Sequence, residues 1–195
     1  MNSISACCSL NSKAVYTRLI QGVSYDQKAY ARWCHIVIIN ESDWPFYCDA
    51  PFRNSKDSRL RWFQYSIVHR IIPTNKFLYM IKVTTCDKCD LCHECTESIE
   101  HLFYNCPHSS KLWHNLLICL SNGGFQGITL DIFTVLFGSN FCRELNLIII
   151  LVKYFIWKCK LQKTLPDEFR LLIFLKDYFL IQRDILLRNM KSHDS

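Results

Sequence analysis

Residues 86–106 read CDKCDLCHECTESIEHLFYNC, and this stretch constrains the fold more than any other part of the chain. It carries too little apolar content to fold unaided. Cysteines this dense are either metal ligands or buried thiols. One set has ordered ligand spacing: Cys89-x2-Cys92-x8-His101-x4-Cys106. Two cysteines separated by two residues turn both thiolates toward one ion, and a His and a Cys on a following helical turn complete a tetrahedron. Thiolate and imidazole donors in a closed site select zinc, whose binding would supply the missing folding energy. The spacing Thr96-x-x-Ile99-Glu100 lets a helix start just before His101, so that Leu102 and Phe103 face a core.

The register stays open at this level. Cys86, Cys89, Cys92 and Cys95 form three overlapping CxxC pairs, and His93 and His108 are spare donors. The run also approaches an iron–sulfur string, C-x2-C-x2-C-x3-C-P, but its last gap is two residues and Thr96 follows Cys95. Free buried thiols are the remaining alternative. Cys34, Cys119, Cys142 and Cys159 lie in apolar helical contexts and are expected in the core. Cys7-Cys8 is uninformative, and His35 and His114 are expected on helix faces without a role.

The twelve cysteines would suit a disulfide scaffold only behind a signal peptide. The start, MNSISACCSLNSK, has no basic segment followed by an apolar run. An intracellular, reducing setting in nucleus or cytoplasm is therefore expected, not secretion. The most apolar run, Leu145 to Trp157, is short for a membrane span and carries Lys153.

Half of the 195 residues are hydrophobic, which predicts a real core, and only five Gly and five Pro punctuate them. So few turn residues favour a mainly α-helical chain over a many-stranded sandwich or barrel. Helices are expected over Ser12 to Gln21, Tyr25 to Ile39, Ser42 to Ala50 (stopped before Pro51), and Asn54 to Ile72. In the last, Ser55 or Asp57 caps the start and Pro73 stops the end. Its Leu60, Phe63, Ile67 and Ile71 share one stripe, and Arg59, Trp62, Ser66, His69 and Arg70 another face. Thr74 would cap a helix through Lys82. His108 to Leu120 reads as amphipathic and is closed by Asn122-Gly123-Gly124. Ile128 to Phe137 is read as a helix with Asp131 in its first turn. Phe141 to Lys163 is apolar almost all round and should be central. Pro166 precedes a last helix over Asp167 to Met190, and Lys191 to Ser195 should fray.

Charge is localised. Arg53 to Lys88 holds eight basic and two acidic residues, whereas the rest of the chain holds fifteen of each sign, so the net +6 lies in this window. Trp62, Phe63, Tyr65, Phe77 and Tyr79 are interleaved with it. Cations beside stacking platforms suit single-stranded or structured nucleic acid, although a solvated helix face beside a core stripe gives the same pattern. No phosphate loop, dinucleotide fingerprint or nucleophile elbow occurs, and no paired aspartates sit in an apolar strand. A non-catalytic chain without a small-molecule substrate is expected.

The stretch LRWFQYSIVHRIIPTNKFLYMIKV, then CDKCDLCHECTESIEHLFYNCP, then Lys111-Leu112-Trp113 resembles the zinc-binding region that follows the reverse transcriptase of LINE-type, non-LTR retrotransposons. Such regions show an "hR" step, "TN.fLy", "C..C", "E...HLF..CP" and a closing aromatic-Trp. The downstream NLIIILVKYFIWKCKLQKTLPDEF is similar to the C-terminal helices of those proteins, and the likeness covers about residues 11–190. It implies one zinc ion on Cys89, Cys92, His101 and Cys106, a CCHC knuckle between helices. It implies binding to element RNA or target DNA during target-primed reverse transcription. The polymerase palm and any endonuclease domain fall outside the sequence, so the resemblance carries over a severed C-terminal region without those activities. His93 stands where many relatives have Gly after the second cysteine.

These readings divide the chain into an N-terminal helical segment with the basic helix (1–84), a reverse-transcriptase-type zinc-binding region (85–121) and C-terminal helices (122–195), expected as one compact domain. Arg59, Trp62, His69, Arg70, Lys76, Tyr79 and Lys82 are the expected nucleic-acid contacts, through phosphates for the cations and stacking for Trp62, His69 and Tyr79. The rival reading is a structural or protein-interaction module, with no nucleic-acid role, that docks through exposed helices; a relic without cellular function is the third.

Overall fold

The computed structural model describes residues 27–124, 127–139 and 142–191, with side chains to residue 185. The expected helix at Ser12 to Gln21, the Cys7-Cys8 pair and residues 192–195 lie outside the described residues. Among these residues the fold is helical, without a strand. No helix among them is long and apolar enough to cross a membrane. The chain divides into two compact units, Met1–Pro45 and Phe46–Ser195.

In the first unit, α1 spans Gln27–Cys34 and ends five residues before the expected point. The amides of Ile36 and Val37 close onto the Trp33 carbonyl. The β-branched run Ile36 to Ile39 leaves the helix through this turn, and the backbone is extended at Asn40. Val37 and Ile39 are buried while Ile38 is exposed, as alternation in an extended segment requires. Tyr30 Oη donates to the Ile39 carbonyl at 3.2 Å and holds the segment against α1.

A 3-10 turn, Glu41–Asp43, leads into α2, Trp44–Asn54. This helix runs through Pro51 instead of stopping before it. The ring's fixed φ is compatible with a helix, and its missing N–H falls in the last turns. There Arg53 donates to the Phe46 carbonyl and lies 3.7 Å over the Phe46 ring.

The second unit is built on α7, Arg143–Gln162. Leu145, Ile149, Leu151, Val152 and Ile156 are buried on it. Against it pack α3 (Ser58–Val68), α8 (Glu168–Lys191) and a π-helical turn at His101–Asn105. The other helices are α4 (Asn75–Met80), α5 (Pro107–Asn122) and α6 (Ile132–Phe137). Phe63 of α3 meets Phe103 and Tyr154 edge-on, with ring centroids 5.8 and 5.2 Å away. Asp57 caps α3 by accepting from the Arg59 amide at 2.9 Å.

This helix ends at Val68, four residues early. Arg70 adopts φ 56, in the left-handed region, and the amides of Ile71 and Ile72 return to the Ser66 carbonyl. Ile71 therefore leaves the expected core stripe and is exposed. Ser66, expected on the free face, is buried and donates to the Trp62 carbonyl at 2.8 Å. Cys34 and Cys119 are exposed and Cys142 half-buried, so only Cys159 of the four expected core cysteines is in the core. Cys142 instead caps α7, its sulfur 3.3 Å from the Leu145 amide.

Asp131 caps α6 through the Thr134 amide at 2.7 Å. The helix stops at Gly138, whose φ of 93 suits glycine. A Cβ there would also lie 2.8 Å from Asn146 Oδ1. Asn146 accepts from the Ser139 amide at 2.7 Å and donates to its carbonyl at 2.8 Å, pinning the turn to α7.

Lys153 lies at the centre of α7 and is wholly buried. Its ammonium nitrogen donates to Gln64 Oε1 at 2.6 Å and to the Leu136 carbonyl at 3.0 Å, joining α7 to α3 and α6. Burial without a carboxylate holds its pKa well below the ordinary lysine value. Between the lowered folded value and the ordinary one, the unfolded chain binds a proton that the folded chain does not. Stability therefore rises with pH through that window. The expected slope from this group is at most about 1.4 kcal/mol per pH unit. Denaturant titrations across the alkaline range should show the slope in the wild type and its loss in Lys153→Met; equal slopes in both would refute the assignment.

Candidate metal centre

The cysteine-rich segment folds as a short loop pair closed by a single antiparallel bridge, Lys88 to Thr96. The Cys89 amide donates to the Cys95 carbonyl and the Glu97 amide to the Asp87 carbonyl, both at 2.8 Å. Thr96 Oγ1 donates to Asp87 Oδ2 at 2.8 Å. Inside this frame Cys89-Asp90-Leu91-Cys92 makes the turn. The His93 amide returns to the Cys89 carbonyl at 2.9 Å, and the Leu91 amide lies 3.4 Å from Cys89 Sγ. His93 has φ 61, so a side chain occupies a left-handed position at which glycine carries no steric cost.

The second half of the site is a helical turn that widens. Ser98 Oγ accepts from the His101 amide at 3.1 Å. The Cys106 amide then bonds the His101 carbonyl at 2.7 Å, five residues back, which is a π-type bond. The widened turn brings His101 and Cys106 to one side. Carbonyls inside it find side-chain donors: Ser109 Oγ reaches Leu102 at 2.6 Å and Trp113 Nε1 reaches Phe103 at 2.7 Å. Pro107 opens α5 at its first turn, where a missing N–H costs nothing.

The ligand atoms of Cys89, Cys92, His101 and Cys106 all lie within 4.8 Å of one another. Cys92 Sγ and His101 Nε2 are 3.3 Å apart. Zinc–sulfur and zinc–nitrogen bonds of about 2.3 and 2.0–2.1 Å imply tetrahedral edges of about 3.6–3.8 Å. The donor set and its spacing thus fit a zinc ion. Cys89, His101 and Cys106 are buried and Cys92 half-buried, the closed character of a structural site. The Cys106 thiol is pushed down by a hydrogen bond from Cys89 and by the amides of His108 and Ser109 at the start of α5. The Cys89 thiol, as the donor, is pushed up, with burial adding to it. Burial pushes His101 down toward the neutral imidazole that ligates metals. Bound zinc would supply the positive charge that lets the thiols ionise together. Cys86 and Cys95 stay exposed, outside the cluster.

A buried ion network joins the loop to α7, and no sequence motif announces it. Lys160, one of two inward-facing lysines seven residues apart on α7, donates to Asp90 Oδ2 at 2.7 Å and Asn75 Oδ1 at 3.0 Å. It also pairs with Glu97 at 3.1 Å. Glu97 is fully buried and accepts from the amides of Asn75 at 2.9 Å and Asp90 at 3.0 Å. Burial tends to raise the Asp90 carboxyl, but Lys160 and Asn75 outweigh it and hold the pKa below the ordinary range. On the other side of the site, Arg70 pairs with Glu100, next to His101.

The expected nucleic-acid residues are distributed over α3, α4 and the turn that follows. Trp62 is 65% exposed and stacks on Tyr65 at 5.6 Å, and Tyr65 stacks on His69 at 4.0 Å. The three rings form one column along α3, of which Tyr65 was not anticipated as a site residue. Arg59 is exposed and paired with Asp57 at 3.1 Å. Lys76, Tyr79 and Lys82 are exposed, whereas Arg70 is mostly covered and engaged by Glu100.

A family model described as zinc-binding in reverse transcriptase matches residues 31–113. This span contains all four clustered ligands together with α3 and α4. No curated protein and no solved structure matches the chain.

Two outcomes are expected from this geometry. Elemental analysis of purified protein should find zinc in the wild type and in Cys86→Ser, and a loss of it in Cys89→Ser and Cys106→Ser; retention in the last two would sink the proposed ligand set. Lys160→Met should leave Glu97 buried without its cation and cost about 3–5 kcal/mol in denaturant titrations of the metal-loaded protein. A cost under about 1 kcal/mol would mean that the network does not anchor the loop.

Proposed function

We propose that this chain is a zinc-pinned nucleic-acid-binding module of the kind found in the C-terminal region of LINE-type reverse transcriptases. On this reading it binds element RNA or its DNA target through one zinc-ordered surface, and contributes binding without polymerase or endonuclease chemistry, in nucleus or cytoplasm. The observation that carries the reading is the ring column Trp62–Tyr65–His69, set among cations on a scaffold that the metal site holds. Trp62 offers an exposed ring at the end of the stacked column, a sequence-tolerant platform for bases, and the exposed Lys76 and Lys82 supply phosphate contacts. The match to the zinc-binding family over residues 31–113 supports a reverse-transcriptase origin.

A second reading has its own observation. Phe169, Leu172, Ile173 and Leu180 are exposed on one side of α8, and an apolar face of this kind suits a protein partner. Self-association that persists in high salt would favour it.

The first reading predicts that zinc-loaded protein binds a fluorescent single-stranded oligouridylate with an affinity that falls steeply with salt. Each phosphate contact should contribute about −0.7 to the slope of log K against log salt. Trp62→Ala, which removes an exposed side chain, should weaken binding by about 1–3 kcal/mol. A folded, metal-loaded sample without salt-sensitive binding to single-stranded RNA or DNA would end the reading.

A further inference from the structure

Two concavities in the second unit meet at Asn54 and Arg143. One, of about 490 Å³, lies between α2, the Gly138 turn and the start of α7, and carries Arg53 and Arg143. The other, of about 760 Å³, lies between the 54–59 segment, α7 and α8, and carries Lys56, Arg59 and Arg143. Asn54 and Arg143 line both, so the two form one continuous groove.

We infer that this groove is a track for a single nucleic-acid strand, with Arg53, Lys56 and Arg143 on the phosphates and Tyr178 and Phe179 under the bases. The inference rests on the nucleic-acid reading above and extends its surface to residues outside the basic window and outside the zinc region.

Three features select this occupant. First, the cations are available. Lys56 and Arg143 are exposed, and no ion pair among the described residues engages either. Of the two acids in the lining, Asp57 is committed to Arg59 and to the α3 cap. Glu144 alone opposes an anion. Second, the floor is apolar and aromatic on the α8 side, where Phe179 is 44% exposed. A cationic rim over aromatic rings matches a strand whose bases are free to stack, and a paired duplex would hide those bases. Third, the groove and the ring column are carried by successive turns of α3. Arg59 lines the groove, and Trp62 follows one turn along α3. A strand leaving the stacked rings meets Arg59 next.

The test uses the full, zinc-loaded chain and a labelled single-stranded oligouridylate titrated at several salt concentrations. Lys56→Gln combined with Arg143→Gln should weaken binding and make the slope of log K against log salt shallower by about 1.4, two contacts' worth. Glu144→Gln should tighten binding by roughly two- to fivefold, a gain that misfolding cannot produce. If the double variant keeps the wild-type slope and Glu144→Gln changes nothing, while Trp62→Ala still weakens binding, the groove is overturned and the nucleic-acid reading stands. If the wild type shows no salt-sensitive binding, that reading falls and the groove falls with it. Displacement of the strand by polyglutamate of equal charge, as efficiently as by unlabelled oligouridylate, would also overturn the assignment in favour of an acidic peptide.

Discussion

The Lys160 ammonium group is the point at which the helical core and the metal-binding loop become one structure. It sits on the central helix, nearly closed off from solvent, and is shared by Asp90, Asn75 and Glu97. A buried cation would be costly alone, and so would the fully buried Glu97 carboxylate. Each exists because the other does, with two backbone amides completing the carboxylate's shell. The loop has few apolar side chains with which to pack; Leu91 and Ile99 are its main buried ones. It is held instead by polar atoms: the ligand set within, and this network where it meets the central helix.

The helices were legible in the sequence because their apolar residues recur at helical spacing, and their ends were not. The end of α1 depends on four successive β-branched residues that prefer extended backbone. Pro51 reads as a stop, but the helix runs on through it for three residues, although the ring removes a ladder bond and crowds the carbonyl four residues back. The end of α3 depends on a left-handed Arg70, which composition does not announce. In the metal site, the spacing narrowed the ligands to overlapping pairs that are locally identical. What separates them is tertiary: the loop pairs Cys89 with Cys95 through the backbone, buries the first sulfur and leaves the second exposed. The buried lysines were illegible for the same reason. In an apolar helix a lysine reads as a solvated exception, and the partners of these two lie up to 89 positions away.

The charge window Arg53 to Lys88 also needs correction by structure. Arg70 is spent on Glu100 and Arg59 on Asp57. Arg53, Arg61 and Lys88 donate to backbone carbonyls of Phe46, Ser55 and Glu94. A hydrogen bond to a carbonyl fixes where a cation sits without neutralising it, so those three still contribute to the field, whereas the two carboxylate pairs largely cancel. The electrostatic surface is thus set by fewer, better-placed cations than the count suggests. Arg143, from outside the window, joins them through the fold.

Two carboxylates tie the metal centre to the surface proposed to meet nucleic acid. Glu97 and Glu100 precede His101 by four residues and by one. Glu97 accepts from the first amide of α4, and so fixes the start of the helix that presents Lys76 and Tyr79. Glu100 takes Arg70, and so fixes the reversal that ends α3 and sets the direction of its ring column. Neither carboxylate is a ligand, and neither helix carries one. On the proposed function, a metal ion on this site would need no contact with a bound strand to influence it: by ordering the turn that holds His101, it would place both glutamates, and through them both helices. A zinc ion held among three cysteines and a histidine would act in the proposed recognition in this indirect way, by deciding where the ring column and the cations stand.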